Sequence, residues 1–262
     1  MARAKSSPAK IGQLVSVLTG DLVESTRMTP DQRRRLVGIV DAALSPRRLR
    51  RALAGGRVLG RQVFRGDAFQ VLLNCPGIGL AAALHIMADL RAREQKLNAS
   101  IGARIAVGIG AVEYFTGQAV RPGSGRAKRA SKDASSGRVG ESFHGDGEAF
   151  RYSGKSLDQM AKHQFITVCT AWPEVNAELN VGCRFLDGLI VDMSDIQAAA
   201  LRGVLQGMTQ REIAEAEGKS QSAIAQRLRR VNWNAVRVLL DRYAVLVDRP
   251  RHRCGSHGGP PA

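Results

Sequence analysis

Two aspartates carry the first hint of chemistry. Asp67 sits in VFRGDAFQVLL, between the apolar runs Val58–Phe64 and Ala68–Leu73. Gly66 tolerates positive φ, so the Gly-Asp pair reads as the tip of a β-hairpin. Asp21 follows the apolar run Leu14–Leu18, an expected strand that ends in the loop Thr19–Arg27. If these strands are neighbours, two carboxylates stand at adjacent strand ends. Such a pair can hold Mg2+ against a triphosphate, because Mg2+ takes few protein oxygens and keeps phosphate oxygens as ligands. Asp after Gly is common in turns for conformational reasons alone. The two acids together, not Asp67 by itself, point to a metal and a nucleotide.

The second constellation is TQREIAEAEGKSQSAIAQRLRR, Thr209 to Arg230. Thr209 and Glu212 match a capping box, Gly218 breaks the pattern, and Ser220 can cap a second helix. Ala214 lets two helices cross closely, while Ile224 and Leu228 anchor the second one. Gln221, Ser222, Gln226 and Arg227 are expected outward, where Gln and Arg suit base edges; Arg229 and Arg230 suit phosphate. With Thr209, Gln210 and Ser220 at the helix starts, these residues form the candidate DNA-contacting set. The string resembles the helix-turn-helix of LuxR-type and sigma-region-4-type DNA-binding domains over Asp195–Tyr243. It departs from them at Glu217 and Lys219, where those families carry apolar residues, which is expected to weaken packing at the turn. The plainer alternative is a helical hairpin used for dimerisation.

Charge supports a polyanionic partner. The 262 residues hold 39 Lys+Arg against 23 Asp+Glu, a net charge of +16. Such an excess favours nucleic acid through phosphate contacts and counterion release, although an arginine-rich genome gives the same balance. The apolar fraction of 44% excludes bulk disorder. Four scattered cysteines (Cys75, Cys169, Cys183, Cys254) form no CxxC pair and read as reduced thiols. The tail string HRCGSH could catch a metal, but a disordered tail is the simpler reading. No apolar run approaches the roughly 20 residues that span a bilayer. A cytoplasmic protein without a membrane partner is expected.

Elements that would position these residues follow in order. Thr29-Pro30-Asp31-Gln32 starts a helix with Leu36, Ile39, Val40 and Ala43 on its buried face. The hairpin comes next, then a helix from about Gly79 to Leu97. Arg104–Gly110 alternates Ile105, Val107 and Ile109 with Ala106, Gly108 and Gly110, so a close approach is expected on the small-residue face. Arg121–Arg138 is a basic Gly/Ser-rich loop. A helix carrying Phe150 and Leu157, then the strand Phe165–Thr170, complete a β-α-β-β-α-β order with a helix and strand added. The expected fold class is α+β, a ferredoxin-like domain over 11–173. A connecting helix at 174–194 and a small all-α domain at 195–248 follow, with disordered tails at 1–10 and 249–262.

LTGDLVES, FRGDAFQVLL, ARIAVGIGAV and DGEAFRYSGKSL follow one another in the order seen in SatD-family proteins, whose domain is similar to the palm of class III nucleotidyl cyclases. The resemblance spans roughly Leu14–Met160. It implies that Asp21 and Asp67 occupy the positions of the metal carboxylates. The cyclase transition-state Asn and Arg fall at Arg151 and Lys155, so neither is retained, and the base-selecting acid falls near His144. Arg151 and Lys155 become candidate nucleotide-binding cations, and no catalytic residue is assigned. The expected function is a DNA-binding regulator with a Mg2+ and nucleotide sensor, acting as a homodimer on palindromic sites. Two alternatives stay open: a Mg2+-dependent nucleotidyl cyclase or related phosphotransfer enzyme, and an adaptor that binds another protein through its helical C-terminus.

Overall fold

Strand β1 (Leu14–Val23) is the axis of the structure. It pairs antiparallel with β3 (Ala68–Leu73) on one side and β4 (Gly102–Thr116) on the other. Strand β2 (Val58–Phe64) closes the hairpin beside β3, so the sheet runs β2-β3-β1-β4. Two short strands complete it on β4: β5 (His144–Gly147) antiparallel and β6 (Ile166–Cys169) parallel. The structure is a computed structural model that describes residues 12–23, 28–46, 48–49, 56–64, 67–94, 102–116 and 143–248. The chain is α+β, with a six-stranded mixed sheet and, among the described residues, eight α-helices. Both tails, the HRCGSH string, Gly66 and the 121–138 loop lie outside the described residues.

One expectation is corrected at once. The first strand does not stop at Leu18; it continues through Thr19, Gly20 and Asp21 to Val23. Thr-Gly-Asp has the composition of a break, but ladders on both sides hold the backbone extended, and tertiary pairing overrides local propensity. Gly20 is needed there, since a Cβ would meet the Phe69 ring at 2.5 Å. Asp21 therefore lies within a central strand, not in a loop. Strand β5, not anticipated from the sequence, is the other addition.

The two faces of the sheet are covered differently. Helices α1 (Pro30–Ala43) and α2 (Gly79–Arg91) pack on the face that carries Leu18, Phe69, Val71, Ile105, Val107 and Ile109. The Thr29/Gln32 capping box that starts α1 is present as expected. Helix α3 (Glu148–Gln159) covers the opposite face. A Cβ on Gly108 would run into the Ala149 carbonyl, and one on Gly110 would lie 2.5 Å from Glu148 Cβ. The small-residue side of β4 does receive a close approach, and the approaching body is a helix. Val15, Val17, Leu72, Val112, Phe143 and Phe150 fill this second, smaller core.

Helix α4 (Pro173–Asp192) both connects and seals. Its Asn176, Asn180, Arg184 and Asp187 recur at one face and meet the outer edge of β6. Asn180 accepts from the Val168 N–H at 3.0 Å and donates to its carbonyl at 2.8 Å. Asn176 does the same for Thr170 at 2.8 and 2.9 Å. Asp187 accepts from the N–H groups of Phe165 and Ile166 at 2.8 and 3.0 Å. Side chains thus substitute for a missing strand, and the edge cannot template pairing with another chain.

Four helices follow: α5 (Asp195–Leu205), α6 (Gln210–Glu217), α7 (Gln221–Arg230) and α8 (Trp233–Val247). They share one apolar core with the sheet, which runs from Leu84 on α2 and Val107 on β4 to Leu201, Ile224, Val236 and Tyr243. The junction also holds a buried charge cluster. Asp89 of α2 is fully buried and accepts from Arg93 at 2.9 Å, Arg202 of α5 at 3.0 Å and Arg48 at 3.2 Å. Beside it His85 Nε2 lies 2.9 Å from the Gln206 amide nitrogen. Tyr243 of α8 donates to the Pro76 carbonyl at 2.9 Å, tying the last helix to the turn before α2. Among the described residues no helix is long and apolar enough to cross a membrane.

Candidate functional site

The backbones of Asp21 and Asp67 are neighbours at the end of the β1–β3 ladder. Asp21 stands opposite Ala68 in the β1–β3 register, one residue from Asp67. The Asp67 carbonyl accepts from Leu22 N–H at 2.9 Å, which fixes the hairpin tip against the end of β1. The partner that sequence reasoning missed is Arg104. It faces Asp21 across the β1–β4 ladder, donates from Nε to Oδ1 at 3.0 Å, and pairs Nη2 with Oδ2. The two ends of the guanidinium grip both carboxylate oxygens, the fork geometry that makes Arg–carboxylate pairs directional. The Asp21 carboxylate holds the Arg104 guanidinium above its ordinary pKa. Arg104 also reaches the Met160 carbonyl at the end of α3, at 3.5 Å.

A polar row runs beside this pair. Gln62 donates to Gln70 at 3.2 Å, Gln70 donates to Thr19 at 3.1 Å, and the Thr19 and Ser153 hydroxyls are 2.8 Å apart. Four elements therefore contribute to a half-buried polar strip on the α3 face, next to Asp21. Among the described residues no group of three or more His, Cys, Asp or Glu gathers as a metal cage.

Arg151 does not join this site. It is exposed at the start of α3 and pairs with Glu113 at 2.5 Å and Asp146 at 3.4 Å. Glu113 lies nine residues from Arg104 on β4, about 30 Å along a strand. Lys155 is exposed one turn further along α3 toward the Asp21 end, and His144 is exposed on β5. The cation that meets Asp21 is Arg104, not Arg151. No local signal marks it, because its role depends on a register between strands 83 residues apart.

The α6–α7 unit is built as its residue types dictate. Thr209 caps α6 with its hydroxyl accepting from Glu212 N–H at 3.2 Å, and Glu212 returns the bond to Thr209 N–H at 2.7 Å. Those bonds hold the Glu212 carboxyl below the usual range. Gly218 takes the left-handed conformation at φ 62°, and Lys219 N–H reaches back to the Ala214 carbonyl at 2.9 Å, a Schellman closure. Ser220 caps α7 through Ala223 N–H at 3.2 Å. Ile213, Ala214, Ile224 and Leu228 are buried, as the spacing requires.

Of the candidate DNA contacts, Ser220, Gln221, Ser222, Gln226, Arg229 and Arg230 are exposed, Thr209 is exposed at its cap, and Gln210 is half-buried. Arg227 is the correction. Its side chain is only 13% exposed and pairs with Glu217 at the end of α6. Glu217, expected to weaken the turn, instead joins the two helices through this ion pair. No family model matches the chain, and no curated protein matches it closely enough to count as a relative.

Proposed function

We propose that the protein is a DNA-binding transcription regulator in which α6–α7 is a helix-turn-helix and α7 is the reading helix. The single observation that carries this is the exposed face of α7. Gln221, Ser222 and Gln226 present amide and hydroxyl groups suited to base edges, with Arg229 and Arg230 following for phosphate. The net charge of +16 supports the same partner. A DNA partner implies a cytoplasmic protein, and a reader this small implies two copies on a two-fold site.

In this reading the β2-β3-β1-β4 order, with α1 and α2 on one face, is a ferredoxin-like, palm-like unit that serves as the sensor. Asp21 and Asp67 would hold Mg2+ bound to a nucleotide, with the metal supplying charge neutralisation at the phosphates. Both oxygens of Asp21 are engaged by Arg104, so binding there exchanges that partner and frees a guanidinium suited to phosphate. The pair is about a quarter to a third exposed and contributes on the order of 1 kcal/mol, a small barrier to exchange. The phosphotransfer reading has less support, since Arg151 is tied to Glu113 and Asp146 away from the acids. An adaptor role would leave the outward amides of α7 without a purpose.

Selection from genomic fragments tests the reader: a recurrent sequence is expected, and uniform recovery at every salt concentration sinks the proposal. Thermal-shift screening with nucleoside triphosphates and Mg2+ tests the sensor, because a ligand bound by the native state alone raises stability. A metal-dependent rise that vanishes in Asp67→Ala supports it. No rise with any nucleotide removes the sensor and leaves the reader standing.

A further inference from the structure

The outer helical layer carries an apolar face that the fold itself does not use. Among the described residues nine large apolar side chains are exposed, and six of them (Val181, Phe185, Val191, Ile196, Val238 and Val245) lie on α4, α5 and α8. Phe185 is 78% exposed. Helices α4 and α8 lie side by side. A Cβ on Gly182 would come 2.5 Å from Leu239, and Arg242 of α8 pairs with Glu178 of α4 at 2.7 and 3.2 Å. Val181 and Phe185 are one turn apart on α4, and Val238 and Val245 two turns apart on α8, so each helix shows an outward stripe beside their contact. Next to the stripes a groove of about 510 Å³ runs between α4 and the α7–α8 junction, walled by Leu186, Leu189, Val236 and Leu239, with Phe185 also lining it.

We infer that this face is the two-fold contact between two copies of the chain, with Phe185 of each copy seated in the groove of the other. An isologous interface needs one surface that is complementary to itself, and here the protruding ring and the groove lie on the same surface. The size also fits. A helix of 20 residues such as α4 is about 30 Å long, and two adjacent helices span roughly 20 Å. With α8 at 15 residues, roughly 22 Å, the joint face is about 500 Å², and the groove walls add to it toward the lower end, roughly 600 Å² per partner, of a stable specific complex. Charges on this face are balanced: Glu178 and Arg242 neutralise each other at the contact between the helices, and the groove is bordered by one acid and one base, Asp192 and Arg230. The groove is bordered by Val231 and Asn232, the residues that follow α7. A contact there fixes the spacing of the two α7 helices, though it rests on the apolar face and not on DNA recognition.

Sedimentation of the full chain tests it, with Phe185→Asp, Val238→Asp and, as a control on α1, Val37→Asp. All three side chains are at least 40% exposed, so each variant should keep the wild-type far-UV circular dichroism. The wild type is expected to be a dimer. Phe185→Asp and Val238→Asp should each raise the dimer dissociation constant about thirtyfold or more, the range of a buried apolar anchor, and Val37→Asp should leave it unchanged. A wild type that stays monomeric at concentrations of about 100 μM, where even weak interfaces associate, overturns the proposal and leaves the face to another partner. A wild-type dimer indifferent to both α4 and α8 substitutions overturns it equally.

Discussion

The α3 face of the sheet and the outer face of α7 are both rich in polar side chains, but they dispose of them in opposite ways. On the sheet, Asp21 is answered by Arg104, Arg151 by Glu113 and Asp146, and the row from Gln62 to Ser153 is bonded internally. On α7, Gln221, Gln226, Arg229 and Arg230 point to solvent, and Arg227 alone is drawn inward by Glu217. A partner at the sheet must displace a bond that already exists, whereas a partner at α7 meets groups with only water to give up. The first arrangement suits a conditional site, the second a standing one.

The α2–α5 junction is one of the contacts that join the two surfaces in one folded body, and the largest predicted effect is there. Asp89→Ala leaves Arg48, Arg93 and Arg202 facing one another without their common acid. Loss of about 3–5 kcal/mol is expected in denaturant unfolding, the cost of removing one member of a buried ionic group. His85 sharpens the same point through pH. Burial is the main cause that lowers its pKa from 6.5 to about 4. With Nε2 accepting from Gln206, the proton sits on Nδ1, which has no partner among the described residues. The unfolded chain therefore binds a proton that the folded chain refuses. Stability present above pH 6.5 should fall by about 3 kcal/mol as pH drops to about 4, and His85→Leu should flatten that part of the profile.

Smaller changes separate Arg227 from its neighbours. Arg227→Ala should destabilise by about 1–3 kcal/mol through loss of the charge-assisted bond to Glu217, visible without DNA. Thr209→Ala, which removes a cap, should cost about 1 kcal/mol. Gln226→Ala should leave unfolding within about 0.5 kcal/mol of wild type while relaxing sequence preference. If Arg227→Ala leaves stability untouched and changes only sequence preference, the inward assignment of that residue is wrong.

What could be read from the sequence was what local chemistry controls. Thr29, Thr209 and Ser220 announced their helices because a cap needs only the next three residues, and Gly218 marked a turn that needs a left-handed residue. The β2–β3 hairpin was legible for similar reasons. Ala106, Gly108 and Gly110 foretold a close approach, although not that α3 would make it. The extension of β1 to Val23, the Asp21–Arg104 pair and the α4 amides on β6 were hidden. Each depends on which distant strands become neighbours, and hence on a register that no local pattern encodes. Arg227 was misread because Glu217 was judged as an absent apolar contact rather than as a partner.

The central claim is that α7 stands ready for phosphate and base edges, and the salt dependence of DNA binding tests it most directly. Binding of the full chain to a selected fragment should fall linearly in log–log form as salt rises. Arg229→Ala and Arg230→Ala together should flatten that slope by about 2, near one unit for each phosphate that is no longer neutralised. An unchanged slope in the double variant, or no binding at low salt, would contradict the account.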